Sequence, residues 1–121
     1  MKLILTVDDE AEIRELLTEV LRSTGYRVVG AESVEEAMAL VRQEKPDLII
    51  TDLQLAESDG FEIADRCRTE VPGVPILLLT GVLFDPAVLQ GPAGHGISAY
   101  VQKTTSLAHL LKEVQRLCPV K

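Results

Sequence analysis

A chain of 121 residues, 46% hydrophobic and 26% charged, has the size and mixture of one globular domain that closes its core without disulfide or metal staples. Its formal net charge of -7, with no basic stripe interleaved with aromatics, argues against direct nucleic-acid binding. Aromatics make up 3% and tryptophan is absent, so an aliphatic core is expected.

The first element is the apolar run LILTV (3 to 7), which stops at two aspartates and reads as a strand buried on both faces. It is too short for a signal peptide or a membrane span, which points to the cytoplasm. From Glu10 to about Thr24 the period becomes helical, with Ile13, Leu16, Leu17, Val20 and Leu21 on one stripe and Gly25 as the stop. Tyr26 to Ala31 is a weaker strand. Ser33 then predicts a helix N-cap, with Glu36 completing a capping box, and Val34, Ala37, Met38 and Val41 form the apolar face before Pro46. DLIIT (47 to 51) is a third strand ending at Asp52, and a helix over Gly60 to Glu70 uses Phe61, Ile63, Ala64 and Cys67. PILLLT (75 to 80) follows as the fourth strand. Four glycines and two prolines between Gly81 and Ser98 leave room for one short helix at most. AYVQK (99 to 103) is a fifth strand, and a last helix from near Ser106 carries Leu107, Leu110, Leu111, Val114 and Leu117.

Five strands, several of them apolar throughout, alternating with helices predict an α/β fold: a doubly wound, five-stranded parallel sheet flanked by helices on both faces, with an irregular or shortened fourth helix. In such sheets ligands bind beyond the carboxyl ends of the strands, at the topological switch point. The residues there are Asp8 and Asp9 after the first strand, Asp52 after the third, Thr80 after the fourth and Lys103 after the fifth. One aspartate at a strand end is usually a turn former or a helix cap. Three converging aspartates repel one another unless protons or a cation relieve them, and a hard divalent ion such as Mg2+ takes oxygen ligands of this kind. A cation beside a free carboxylate, a hydroxyl and an ammonium suits phosphoryl chemistry, because carboxylates act as nucleophiles toward phosphorus while positive charge stabilises the transition state. Cys67 and Cys118 lie in no CxxC or Cys/His cluster and read as reduced thiols rather than zinc ligands or a redox pair.

LILTVDDE, DLIITDLQLAESDGFE, PILLLTG and AYVQK, in this order and spacing across essentially the whole chain, resemble the receiver domains of two-component response regulators. The resemblance implies a single receiver domain over residues 1–121, of the flavodoxin-like, receiver-type fold. It implies that Asp52 is a phosphoacceptor, receiving its phosphoryl group from a sensor histidine kinase or a histidine phosphotransfer protein in a Mg2+-dependent reaction. Asp9, Asp52 and the backbone carbonyl of Gln54 match the direct metal ligands, and Asp8 matches a residue that usually acts through bound water. Thr80 and Lys103 match the groups that bind the phosphoryl oxygens, and Tyr100 matches an aromatic that turns inward as the hydroxyl moves toward the phosphate. Output then passes to a downstream protein target, or to an effector domain of the same chain, with no direct contact to nucleic acid or membrane. In enzyme terms this is a switch with only self-directed phosphoryl transfer and autodephosphorylation.

Three departures fall on surfaces rather than on the acceptor set. Thr104 follows Lys103 where the family usually has proline, Ala56 replaces a common proline after Asp52, and the glycine-rich stretch from 81 to 98 covers the family's fourth helix. Ile13 and Leu16 are candidates for a kinase-docking surface if partly exposed, although helical spacing does not separate that from ordinary core packing, the favoured reading for both. Two readings compete with the switch. A small aspartate-nucleophile phosphohydrolase normally carries a second acid where this chain has Gln54, and loss of Asp52 or Lys103 would favour a pseudo-receiver, whereas both are present. A flavin-binding reading fails for want of a hydroxyl- and glycine-rich loop after the first strand.

Overall fold

The computed structural model describes residues 2–52, 60–80, 97–102 and 107–120. Its elements in chain order are β1 (Leu3–Val7), α1 (Ala11–Thr24), β2 (Arg27–Ala31), α2 (Val34–Glu44), β3 (Leu48–Asp52), α3 (Gly60–Glu70), β4 (Ile76–Thr80), β5 (Ala99–Gln102) and α4 (Leu107–Leu117). The strands form one parallel sheet in the order β2-β1-β3-β4-β5. The expected α/β architecture is therefore present. Most of the stretch expected to hold an irregular fourth helix, residues 81–96, lies outside the described residues.

Alternation along the strands divides the core in two. Leu5, Val7, Ile49, Ile76 and Leu78 face α2 and α3, where they meet Val34, Ala37, Met38, Val41, Ile63, Ala64 and Cys67. Ile4, Leu48, Ile50, Leu77 and Leu79 face α1 and α4, meeting Leu17, Leu21, Leu110 and Val114. Burial on both faces is why these strands read as continuous apolar runs rather than alternating ones. Among the described residues Tyr26 is the largest fully buried side chain, and its hydroxyl donates to the Cys118 carbonyl, tying the end of α4 to the start of β2.

Local signals set the ends of the elements. Gly25, at φ 115°, caps α1 in the left-handed region, with the Tyr26 N–H reaching back to the Leu21 carbonyl at 3.1 Å. Ser33 Oγ accepts from the Glu36 N–H at 3.2 Å, the cap expected of that pair, and α2 ends at Glu44, with Lys45 as its C-cap just before Pro46. Asp47 Oδ2 accepts from the Leu3 N–H at 2.9 Å, which fixes the entry of β3 against that of β1. One expectation shifts. Leu16, placed by its spacing on the apolar stripe of α1, is 44% exposed, whereas Leu17 and Leu21 are buried and Ile13 packs at the core's margin. The helix contacts the sheet through a stripe narrower than its apolar residues would cover.

Candidate functional site

Because every strand is parallel, all five carboxyl ends share one edge of the sheet. The register brings particular residues level there. Val7 pairs with Thr51, so Asp8 and Asp52 each stand one residue beyond that pair on adjacent central strands. Asp52 pairs with Leu79, and Thr80, the last residue of β4, pairs with Gln102. Successive connections leave β1 toward β2 and return past it to β3, so the β1/β3 boundary is the switch point where such sheets open a crevice.

Asp8 continues the ladder of β1. Its N–H donates to the Ala31 carbonyl at 3.1 Å, which pulls the residue into the sheet edge and leaves it 1% exposed. Its Oδ1 accepts from the Glu10 N–H at 2.9 Å, closing the turn that leads into α1. A carboxylate at that place also faces the positive end of the helix, a favourable arrangement. Asp9 and Glu10, one and two residues further on, are exposed. Asp52 closes β3 at 5% exposure. Carboxylate oxygens of Asp8, Asp9, Glu10 and Asp52 lie within 4.8 Å of one another. Two unit charges at that spacing repel by about 3 to 4 kcal/mol at an effective dielectric of ~20. An all-oxygen, strongly anionic donor set with both buried and exposed members matches the preference of a hard divalent cation that keeps part of its water shell. The residues present therefore fit a Mg2+ ion.

Three of the aspartates expected from the sequence, Asp8, Asp9 and Asp52, are thus brought together. Thr80 takes the expected place at the end of β4, beside the strand that carries Asp52. Tyr100 lies in β5, half-buried against the core that α2 and α3 cover. Gln54 and Lys103 lie outside the described residues, as do Ala56 and Thr104. Glu10 joins the cluster without having been picked out. Its signal was present in the unbroken acidic run Asp8-Asp9-Glu10, whose third member sits where the helix begins.

The response regulator receiver domain family matches residues 4–115 of the chain. The chain belongs to that family, the receivers of two-component signal transduction. Among curated relatives it is 34% identical over 116 residues to the phosphate regulon transcriptional regulatory protein PhoB of Pseudomonas aeruginosa, covering 94% of this chain and 50% of that protein. It is 32% identical over 116 residues to the probable transcriptional regulatory protein TcrX of Mycobacterium tuberculosis, covering 94% and 48%. The chain spans about half the length of these relatives. Among solved structures it is similar to the response regulator TrrA of Thermotoga maritima in complex with Mg2+-BeF, with a TM-score of 0.85, 34% identity and coverage of 97% and 99%. It is also similar to the chemotaxis response regulator CheY4 of Vibrio cholerae, with a TM-score of 0.86, 31% identity and coverage of 97% and 98%. Among the described residues no helix is long and apolar enough to cross a membrane.

Proposed function

We propose that the chain is a single phosphorylatable receiver over residues 1–121, in which Asp52 accepts a phosphoryl group from a phosphohistidine donor. The observation that carries this reading is the convergence of Asp8, Asp9 and Glu10 with Asp52 at the switch point of a receiver fold. Support comes also from the Thermotoga neighbour, which holds Mg2+-BeF. Asp8, Asp9 and Asp52, together with the Gln54 carbonyl, would hold Mg2+, which supplies charge neutralisation at the transferring group when bound.

The chain's own residues then divide the work. A carboxylate oxygen of Asp52 attacks phosphorus, a P–O bond forms, and the P–N bond to the donor histidine breaks with the electron pair leaving on nitrogen. The Lys103 ammonium and the Thr80 hydroxyl bind the phosphoryl oxygens, adding fixed positive charge and a donor where negative charge accumulates. A dianionic group on Asp52 draws Thr80 toward it, and Tyr100 turns into the space that this movement opens. The partners are a sensor histidine kinase or a histidine phosphotransfer protein on the input side. On the output side stands a protein target or an effector domain.

Intact mass after incubation with acetyl phosphate and Mg2+ tests the reading. Wild type is expected to gain one phosphoryl group, with no gain in EDTA and none in Asp52→Ala. A wild type that stays unlabelled, under conditions that label an ordinary receiver, sinks the phosphoacceptor reading in favour of a pseudo-receiver.

A further inference from the structure

We propose that Arg14 is a positioning residue for the carboxylate cluster, holding the Asp8–Asp9 turn in the conformation that binds a divalent cation. The inference rests on the reading of Asp8 and Asp9 as metal ligands. Arg14 lies on the first turn of α1, and its Nη1 donates to the backbone carbonyl of Asp8. The same guanidinium stands 3.8 Å from Glu32 Oε2, just past the end of β2. Asp8 is therefore held at three points: its N–H on the Ala31 carbonyl, its Oδ1 on the Glu10 N–H and its own carbonyl on Arg14. The last of these fixes the peptide between Asp8 and Asp9, and with it the direction in which the Asp9 side chain leaves the turn.

The route of the arginine is built into the neighbouring strand. Gly30 in β2 leaves the stem a track: a Cβ there would stand 3.5 Å from Thr6 Oγ1, 3.6 Å from Arg14 Cδ and 4.0 Å from Arg14 Nε. That is ordinary contact, so alanine fits, while a longer side chain would push the stem aside. The ion pair does not explain why the residue is held. Its glutamate is 64% exposed and the separation is long, so the pair contributes little. The charge-assisted bond to a main-chain carbonyl of the cluster is the stronger contact.

Charge and position predict opposite signs, which makes the inference decidable. A guanidinium near a cation site repels the cation, so charge alone predicts tighter Mg2+ binding when Arg14 is removed. Positioning predicts weaker binding, since partners that orient ligands typically matter by about 10- to 100-fold in metal affinity.

The experiment is a Mg2+ titration of the full chain, by calorimetry and by the backbone amide signals of residues 8–10, since no tryptophan is available to report it. Arg14→Met is expected to weaken Mg2+ binding about tenfold, and Arg14→Lys, which keeps a donor for the carbonyl, to recover part of the loss. Gly30→Leu, which keeps the arginine in the chain but pushes its stem aside, is expected to weaken binding by a similar factor, while Gly30→Ala and the same-helix control Arg22→Gln stay within about twofold of wild type. At saturating Mg2+, phosphoryl gain by Arg14→Met returns to the wild-type level. Should Arg14→Met fail to fold, the Gly30 pair carries the test. Mg2+ binding by wild type that Arg14→Met leaves unchanged or tightens overturns the inference while leaving the metal reading intact. A wild type that binds no Mg2+ overturns both.

Discussion

Cys67 sits on α3 at 1% exposure, and burial, with a smaller contribution from Glu70, pushes its thiol up to about 11. Burial also raises Cys118 and Tyr26, with Asp47 adding to the first and Cys118 to the second. All three groups are neutral when protonated, so the folded state keeps protons that the unfolded chain gives up. The Cys67 contribution is therefore complete below the ordinary thiol value of 9.0 and is lost as pH rises from there toward 11. For Cys67 the full loss amounts to roughly 2 to 3 kcal/mol. Urea midpoints should stay level from about pH 7 to pH 8.5 and then drop, and Cys67→Ala should show a shallower alkaline slope. An unchanged slope would mean that another group carries the effect. The same burial makes both thiols slow toward alkylating reagents in the native protein, in keeping with isolated reduced cysteines.

At the scale of the element, α1 separates adjacent leucines. Leu17 is 3% exposed in the core that α1 and α4 share, and Leu16, one position earlier, is 44% exposed. Leu17→Ala should cost about 2 to 5 kcal/mol and Leu16→Ala less than about 0.5 kcal/mol, read from urea unfolding. Comparable losses would place Leu16 in the core after all. This distinction marks how far the elements could be read in advance. Strands and helices were legible because two-sided burial writes apolar runs and one-sided burial writes a 3.6-residue stripe. Ser33 and Gly25 were legible because capping is local chemistry. The exposed edge of the α1 stripe was not, since how much of a stripe meets the sheet depends on how the helix lies across it. Nor was strand order read from the alternation, which implies parallel pairing without saying which strands are neighbours. The site followed the same division. Asp8, Asp9 and Asp52 stand at strand ends that the sequence announces, whereas Arg14 acts through a main-chain carbonyl and a track over Gly30 that only the packed β2 reveals.

The whole molecule concentrates like charge where folding alone would disperse it. Its net charge is -7, and four of its acidic side chains meet at one sheet edge, two of them almost fully buried. The packed sheet holds them there: Asp8 is locked to β2 and α1, and Asp52 is the last residue of a central strand. Elsewhere the surface uses charge in the ordinary way, with Arg42 on Glu70 at 2.7 Å and Arg66 on Glu35 at 3.3 Å, both joining α2 to α3. The acidic edge is thus a cost carried by an otherwise well-satisfied fold, of the kind that a functional site imposes on its scaffold. Removing one of its charges should make the metal-free protein more stable. Asp52→Asn keeps the shape of the side chain and deletes a charge that sits within 4.8 Å of other carboxylate oxygens. The variant is expected to gain about 1 to 2 kcal/mol in EDTA, seen as a rise of roughly 5 °C in Tm. Added Mg2+ should raise the Tm of wild type through mass action on the folded state, and should raise that of Asp52→Asn much less. The two curves would then converge as Mg2+ increases, because cation and substitution relieve the same repulsion. Parallel curves would mean that the ion acts away from Asp52, and a destabilised Asp52→Asn in EDTA would mean that the carboxylate is worth more to the fold than its repulsion costs.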